Sequence, residues 1–277
     1  MPILISASEL LARLGEDGLV LVDVRPEADW RTSTLPGAVS LNVYDYFIPE
    51  SDEAGIAGMA AGALTAFKAL SIDKAMTTVF FENQTGMISP RGLWFHELVG
   101  LQGGLILDGG YQAWLAAGGA VAPGEGVPAA ITQSDTPSPQ TDFHREIVAS
   151  TNEVLAHDPS TTDIFDTRRR TEFEGTFLHP CCSRPGRIPD AKLMYFEDML
   201  VDGHYRPAAE IRARALDAGL SLDHTIISYC HRGARAATAL YGLRLAGFND
   251  TRIFVGSWHE WAGNSALPLH IGPCKSA

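Results

Sequence analysis

The chain has 277 residues, 45% of them hydrophobic, and a formal net charge of −12, with acidic and basic residues spread along the sequence. This length suits about two domains, and an acidic surface repels phosphate backbones, which argues against a nucleic-acid partner. No apolar run approaches the roughly 20 residues of a membrane span, so we expect no membrane association.

The N-terminal segment, MPILISASELLARLGEDG, lacks a charged region ahead of an apolar core and lacks a cleavage site. We therefore expect no signal peptide and a cytoplasmic protein. The spacing of the four cysteines matches no disulfide framework and no zinc motif, so reduced thiols are expected. These cysteines are Cys181, Cys182, Cys230 and Cys274.

Short β-branched or apolar runs alternate with helical patterns along the first half of the chain. ASELLARLGEDG and RGLWFHELVGLQG have helical periodicity, whereas VLVDVR and TVF are typical of buried strands. This alternation predicts an α/β fold in which helices flank a mostly parallel sheet. The next stretch, Gly118 to Gln140, is rich in Pro, Gly and small polar residues and predicts a linker, which we place at residues 123–141.

The second half repeats the first at a domain-sized interval. Five features recur 147 residues apart: Thr78–Phe80 with Thr225–Ile227, Gly86 with Gly233, Gly100 with Gly247, Gly109 with Gly256, and Trp114 with Trp261. VLVDVR is echoed by DIFDTR, and LPGA by IPDA. The pattern predicts a duplicated domain, with an N-terminal copy at residues 1–122 and a C-terminal copy at residues 142–277.

One stretch of the second copy, SYCHRGARAATALYGLRLAGF, places a thiol between a strand and a helix. We predict a strand at Thr225–Tyr229, a helix at Ala236–Ala246, and a six-residue loop that begins with Cys230. A helix N-terminus offers free N–H groups and partial positive charge, and Arg232 and Arg235 add full charges. All of these favour thiolate over thiol. Gly233 lets the loop turn its amides inward.

These residues resemble the active-site loop of the tandem-domain rhodaneses, the thiosulfate and 3-mercaptopyruvate sulfurtransferases. The GSWHEW motif after the second copy, the DVR and DTR triplets, and LPGA and IPDA are also similar. The resemblance implies two rhodanese-like domains, each a mostly parallel sheet flanked by helices. It also implies that only the C-terminal domain is catalytic. The offset of 147 puts Asn83 at the place of Cys230, and an amide cannot form a persulfide.

The resemblance implies a sulfurtransferase without metal or organic cofactor. Cys230 would take sulfur from thiosulfate or 3-mercaptopyruvate and pass it to a thiol, thioredoxin among them, or to cyanide. A monomer is implied as well. The basic loop favours thiosulfate by charge matching, although Glu172 stands where animal thiosulfate sulfurtransferases carry another arginine. Beyond Cys230, the predicted substrate-binding residues are His231, Arg232, Gly233, Ala234, Arg235, Arg187 and Arg168. For Arg235, near the helix start, pairing with an acidic residue is an open alternative.

Other interpretations stay open. The chain could be a sulfur carrier or docking module that turns over poorly with small donors. It could also be a cysteine phosphatase or arsenate reductase of a related type, but that chemistry needs arginine where Ala236 stands, and Arg235 comes one position early. We expect Asp23 and Asp166 to receive backbone N–H bonds at strand ends, and Trp258 and Trp261 to pack in the core.

Overall fold

The computed structural model describes residues 2–135 and 143–273, which form two compact units. Within the described residues, the first unit comprises residues 2–46, 57–135, 143–145 and 200–205, and the second comprises residues 47–56, 146–199 and 206–273. None of the described helices combines the length and apolar character that crossing a membrane requires.

The first unit is built on a parallel sheet of six strands in the order β1-β5-β4-β2-β3-β6. The strands are β1 (Leu4–Ile5), β2 (Leu19–Asp23), β3 (Val39–Asn42), β4 (Thr77–Phe81), β5 (Gly104–Leu107) and β6 (Ala129–Ala130). The helices are α1 (Ala7–Arg13), α2 (Glu27–Thr32), α3 (Glu53–Ala69), α4 (Ser89–Leu98) and α5 (Gly110–Ala116), and the first four residues of α3 are counted with the second unit. A short antiparallel hairpin, β10 (Leu200–Val201) with β11 (His204–Tyr205), also belongs to this unit.

The second unit has a parallel sheet of five strands in the order β7-β13-β12-β8-β9. Its strands are β7 (Val148–Ala149), β8 (Thr162–Asp166), β9 (Lys192–Leu193), β12 (Thr225–Tyr229) and β13 (Thr251–Phe254). Its helices are α6 (Thr151–Leu155), α7 (Arg170–Phe173), α8 (Ala208–Asp217), α9 (Ala234–Leu245) and α10 (Ser257–Gly263). Short 3₁₀ helices span Arg145–Ile147 and Phe196–Met199.

The two sheets share one strand order, because β1-β5-β4-β2-β3 corresponds to β7-β13-β12-β8-β9. The predicted duplicated α/β domain with mostly parallel sheets is confirmed. Each unit has its own apolar core, in which Trp114 and Trp261 are 0% and 1% exposed. Each of these indoles donates to a backbone carbonyl six or seven residues further on, at 2.8 and 2.7 Å.

The repeat has a different offset in its central strand from the one that the sequence suggested. Asp23 pairs in register with Phe81, and Asp166 with Tyr229, so β4 and β12 are related by 148 residues, not 147. The helices then begin at Ser89 and Ala234, which makes the first unit's connection longer. A constant offset could not locate this length difference, and the predicted match of Asn83 with Cys230 is wrong for that reason.

Local predictions around the second central strand are largely confirmed. The strand spans Thr225–Tyr229 as predicted, and Gly247, with φ of 90°, follows the C-cap of α9. The helix itself begins at Ala234, two residues earlier than predicted. The loop is therefore Cys230–Gly233, and Arg235 lies in the first helical turn.

The predicted linker contains one short strand in its described part. Ala129 and Ala130 form β6, which extends the first sheet by pairing with Leu41 and Asn42 of β3. A two-residue strand without apolar alternation leaves no pattern to detect in a Pro- and Gly-rich stretch. Residues 136–141 of the linker lie outside the described residues.

His96 of α4 is a buried titratable group in the first unit's core. Its ring is 1% exposed and packs edge-on against Phe67 and Phe80, at centroid distances of 5.5 and 5.6 Å. Its Nε2 has no hydrogen-bond partner within the described residues. Burial lowers the pKa of His96 to about 4, so the folded state keeps the ring neutral.

This burial predicts an acid-sensitive contribution to stability. Because the folded pKa lies below the unfolded value, the contribution is full above about pH 6.5 and is lost as the pH falls towards about 4. Between pH 7 and 5 the free energy of unfolding of the unmodified protein should fall by about 2 kcal/mol more than that of His96→Leu. Urea unfolding at both pH values measures this, with His270→Gln, an exposed site, as the control. Equal pH dependence in His96→Leu would contradict it.

Candidate active site

Cys230 lies at the C-terminal end of the central strand of the second sheet. Its side chain is 1% exposed, and its Sγ accepts the N–H of Gly233 at 3.1 Å. Gly233 is the N-cap of α9 and has φ of 86°, a left-handed conformation that glycine adopts without strain. The turn therefore aims a backbone donor and the N-terminus of a twelve-residue helix at the sulfur.

The GSWHEW segment holds the backbone of this loop from the neighbouring strand. The Cys230 N–H donates to Ser257 Oγ at 3.2 Å, and Ser257 Oγ donates to the Phe254 carbonyl at 2.8 Å. The N–H groups of Trp258 and His259 donate to the carbonyls of Cys230 and His231, at 3.0 and 3.1 Å. These bonds fix the position from which the thiol projects.

Sequence reasoning missed the role of Ser257, although it singled out the motif that contains it. Ser257 is fully buried and has φ of 55°, a strained conformation for a residue with a side chain. Its hydroxyl bridges two strand ends, which explains why a small polar residue stands there. Trp258 and Trp261, at 2% and 1% exposed, are core residues as predicted.

Arg235 forms a two-pronged ion pair with Glu172. Its two terminal nitrogens donate to Glu172 Oε2 and Oε1 at 2.8 and 3.1 Å. Burial alone would lower the pKa of Arg235, but the bonds to Glu172 raise it above its usual value. Burial opposes ionisation of Glu172, and Arg235 nonetheless holds the pKa of that carboxyl below its usual range. The positive charge of Arg235 is therefore compensated within the protein.

Arg232 has a different environment. Its guanidinium lies over the ring of Phe47, 4.1 Å from the centroid, and its Nε is buried with no hydrogen-bond partner within the described residues. A guanidinium stacked on an aromatic face is held in place while its charge stays uncompensated. Of Arg232 and Arg235, Arg232 is the one without a carboxylate partner in the part of the chain described.

The two other predicted arginines are engaged with protein groups. Arg168 is 1% exposed and pairs with Asp166 at 2.6 Å, and it also donates to the Gly186 carbonyl at 2.8 Å. Arg187 donates to the Gly272 carbonyl at 2.6 Å and stacks over Phe173. Their contact with a substrate stays a prediction from the resemblance.

The buried acids at the strand ends behave as the sequence suggested. Asp166 accepts the N–H of Arg168 at 2.9 Å, and Asp23 accepts the N–H of Arg25 at 2.9 Å. Asp166 also accepts the hydroxyl of Tyr229 at 2.6 Å. This network lies directly beneath the residue that precedes Cys230, so it stiffens the base of the loop.

The remaining loop residues and the cysteines differ in how far they are buried. His231 is half-buried, Ala234 is buried in the first turn of α9, and Cys230, Cys181 and Cys182 are free thiols. Burial, with the neighbouring Cys181, raises the pKa of the Cys182 thiol to about 12, so it stays protonated in the core. Cys181 is exposed and contacts the imidazoles of His179 and His231. Cys274 lies outside the described residues.

The first unit carries a carboxylate where the second carries the thiol. The N–H of Tyr111 donates to the Glu82 carbonyl at 2.8 Å, just as that of Trp258 donates to the Cys230 carbonyl. Glu82 is thus the counterpart of Cys230, and Asn83 the counterpart of His231. Glu82 Oε1 accepts from the N–H groups of Gly86, Ile88 and Ser89, at 3.1, 2.9 and 2.8 Å, and from the Ser89 hydroxyl at 3.0 Å. The first unit has no nucleophile at this position.

Removal of this carboxylate should destabilise the first unit. In Glu82→Ala, the buried N–H groups of Ile88 and Ser89 lose their acceptor, so we expect the free energy of unfolding to fall by about 3 kcal/mol. Glu82→Gln keeps one carbonyl oxygen and should lose less. Urea unfolding measures both, beside Glu125→Ala at an exposed loop position. A Glu82→Ala protein as stable as the unmodified one would show that the carboxylate does not support the loop.

Comparison with known proteins gives a consistent result. A family model described as a rhodanese-like domain matches residues 6–117 and 150–264. The chain is 28% identical to a probable 3-mercaptopyruvate sulfurtransferase of Pseudomonas aeruginosa, over 97% of this chain and 98% of that one. It is 29% identical to a thiosulfate sulfurtransferase of Corynebacterium glutamicum, over 97% and 90%. The crystal structure of the 3-mercaptopyruvate sulfotransferase SseA from Escherichia coli has the same fold, with a TM-score of 0.74, 20% identity, and coverage of 93% and 99%.

Proposed function

The chain belongs to the rhodanese family of sulfurtransferases, with two rhodanese-like domains in tandem, and we propose that it transfers a sulfane sulfur through a persulfide on Cys230. The donor is thiosulfate or 3-mercaptopyruvate, and the acceptor is a thiol or cyanide. The observation that carries the proposal is the Cys230 sulfur itself, which accepts the Gly233 N–H at 3.1 Å in front of the N-terminus of α9.

The reaction is two successive displacements at sulfur. The Cys230 thiolate attacks the outer sulfur of thiosulfate, the S–S bond breaks, and sulfite leaves with the electron pair. With 3-mercaptopyruvate the C–S bond breaks instead, and the carbon takes up a proton to give pyruvate. In the second step an acceptor thiolate or cyanide attacks the outer persulfide sulfur and releases the Cys230 thiolate. Loop amides and the helix N-terminus stabilise the anionic sulfur at each stage.

The charge around the loop bears on the donor. The predicted preference for thiosulfate assumed that Arg232 and Arg235 both carry free charge. Arg235 is instead compensated by Glu172, whereas Arg232 has no carboxylate partner within the described residues. One cation still attracts a divalent sulfur oxyanion more strongly than a monocarboxylate, but by less than two free cations would. We therefore assign Arg232 to donor binding and leave both donors as substrates of the proposal.

The rest of the proposal follows the sequence predictions. The C-terminal domain, residues 142–277, performs the chemistry, and the N-terminal domain, residues 1–122, lacks a nucleophile because Glu82 stands at the equivalent position. We propose a cytoplasmic monomer whose acceptors are thiols, thioredoxin among them. A phosphatase is disfavoured because Arg235, already one position early for that loop, is bound to Glu172.

The direct test is thiocyanate formation from cyanide with each donor in turn. Cys230→Ser should lose essentially all turnover, because a hydroxyl cannot form the persulfide. Cys182→Ser, at a buried thiol outside the site, should retain turnover. If the unmodified protein is inert with both donors, the sulfur-carrier or docking interpretation replaces the enzyme. If Cys230→Ser remains active, the nucleophile has been misassigned.

A second prediction concerns donor choice. Glu172→Gln frees the charge of Arg235, which should favour the divalent donor over the monoanionic one by on the order of 1 kcal/mol. The ratio of kcat/KM for thiosulfate to that for 3-mercaptopyruvate should therefore rise about fivefold. Any effect on the thiol itself is shared by both donors and cancels in this ratio.

The matched control is Glu174→Gln, since Glu174 pairs with Arg170 on the exposed side of the same segment. Its ratio should equal that of the unmodified protein. An unchanged ratio in Glu172→Gln would mean that Arg235 does not face the donor.

A further inference from the structure

A cluster of metal-binding side chains lies next to the catalytic loop. Cys181 Sγ lies 3.2 Å from His179 Nδ1 and 3.1 Å from His231 Nε2, and the three atoms all lie within 4.8 Å of one another. The two imidazole rings face each other at a centroid distance of 4.0 Å. From these contacts we propose that His179, Cys181 and His231 form a site for a Zn²⁺ ion.

The spacing of the three atoms suits one ion. Zn–N bonds of about 2.0 Å and a Zn–S bond of about 2.3 Å put the ligand atoms of a tetrahedral site about 3.5 Å apart. The observed N···S distances of 3.1 and 3.2 Å need only small side-chain adjustments to reach that value. Two imidazoles and one thiolate are ligands that zinc prefers, and three protein ligands leave a fourth position for water or a small thiol.

The lone pairs are directed for ligation. The N–H of Cys181 donates to His179 Nδ1 at 3.4 Å, so this nitrogen acts as an acceptor and its lone pair faces Cys181. A neutral imidazole is the metal-binding form of histidine.

The segment that carries His179 and Cys181 is anchored, which makes the cluster more than a chance contact of flexible side chains. Cys182 is buried in the core of the second unit. Arg184 donates to the carbonyls of Trp261, Ala262 and Leu267, at 2.8, 2.9 and 2.9 Å. The indole of Trp258 donates back to the Arg184 carbonyl at 3.1 Å. Ligands held by such a network are preorganised for a metal.

Zinc binding should release a proton and should slow sulfur transfer. The ion takes the place of the thiol proton of Cys181, so about one proton is released to solvent for each ion bound at neutral pH. His231 directly follows Cys230, so zinc on His231 fixes the catalytic loop. We therefore expect zinc to inhibit sulfur transfer, a consequence that rests on the proposed function, whereas the site itself does not.

The test uses Co²⁺ as a spectroscopic probe in the full chain, freed of metal and kept reduced. We expect one Co²⁺ per chain, a sulfur-to-cobalt charge-transfer band and the intense visible bands of a tetrahedral ion, with displacement by Zn²⁺. Cys181→Ser should lose the charge-transfer band, and His179→Gln should weaken binding about tenfold or more. Cys182→Ser, the adjacent thiol, should keep the spectrum.

Cys230→Ser separates this proposal from the proposed function. It should be inactive in sulfur transfer and still show the cobalt spectrum. A spectrum that survives in Cys181→Ser, or vanishes in Cys230→Ser, would place the ion on the catalytic thiol and overturn the site. Absence of the band at saturating Co²⁺ would overturn it as well. The ratio of activity with and without Zn²⁺ should be below one in Cys182→Ser and close to one in Cys181→Ser.

Discussion

Both units place a hydrogen-bond acceptor at the junction of the central strand and the following helix, where backbone N–H groups donate to it. In the second unit the acceptor is the Cys230 sulfur, which receives one N–H at 3.1 Å. In the first unit it is the Glu82 side chain, which receives three N–H groups and a hydroxyl at 2.8 to 3.1 Å. A helix N-terminus has amides that lack intrahelical partners, so an acceptor there is needed for stability whether or not chemistry follows. The same requirement closes the loop in the first unit and, under the proposed function, supports the nucleophile in the second.

Charge compensation decides what else the site can bind. Asp166 neutralises Arg168 beneath the loop, and Glu172 neutralises Arg235 at the start of α9. These ion pairs hold the loop in position, and because each has no net charge they add little electrostatic attraction for a charged substrate. Arg232, stacked on Phe47, is the loop arginine whose charge stays uncompensated within the described residues, which is why it is assigned to the donor.

The sequence was sufficient for features encoded locally. The apolar run before Cys230 predicted the strand at Thr225–Tyr229, and the helical pattern after the loop predicted α9 to within two residues of its observed start at Ala234. Alternation of short apolar runs with helical patterns predicted the parallel sheets, and the echo of DVR by DTR supported the duplication. Specific side-chain contacts between residues far apart in the sequence could not be predicted from it. The bond between Glu172 and Arg235 joins residues 63 positions apart, and the contact of Cys181 with His231 joins residues 50 apart.

The wrong match of Asn83 with Cys230 has a similar cause. The longer connection in the first unit is revealed by strand register, and by the carbonyls of Glu82 and Cys230, which accept the N–H groups of Tyr111 and Trp258.

The central claim, that a persulfide forms on Cys230, is tested most directly by intact-protein and peptide mass spectrometry after incubation with one donor at a time. The account predicts one added sulfur atom on the peptide that contains Cys230, removed by cyanide as one equivalent of thiocyanate. Added sulfur on Cys181 instead, or no adduct with either donor on the folded protein, would contradict it.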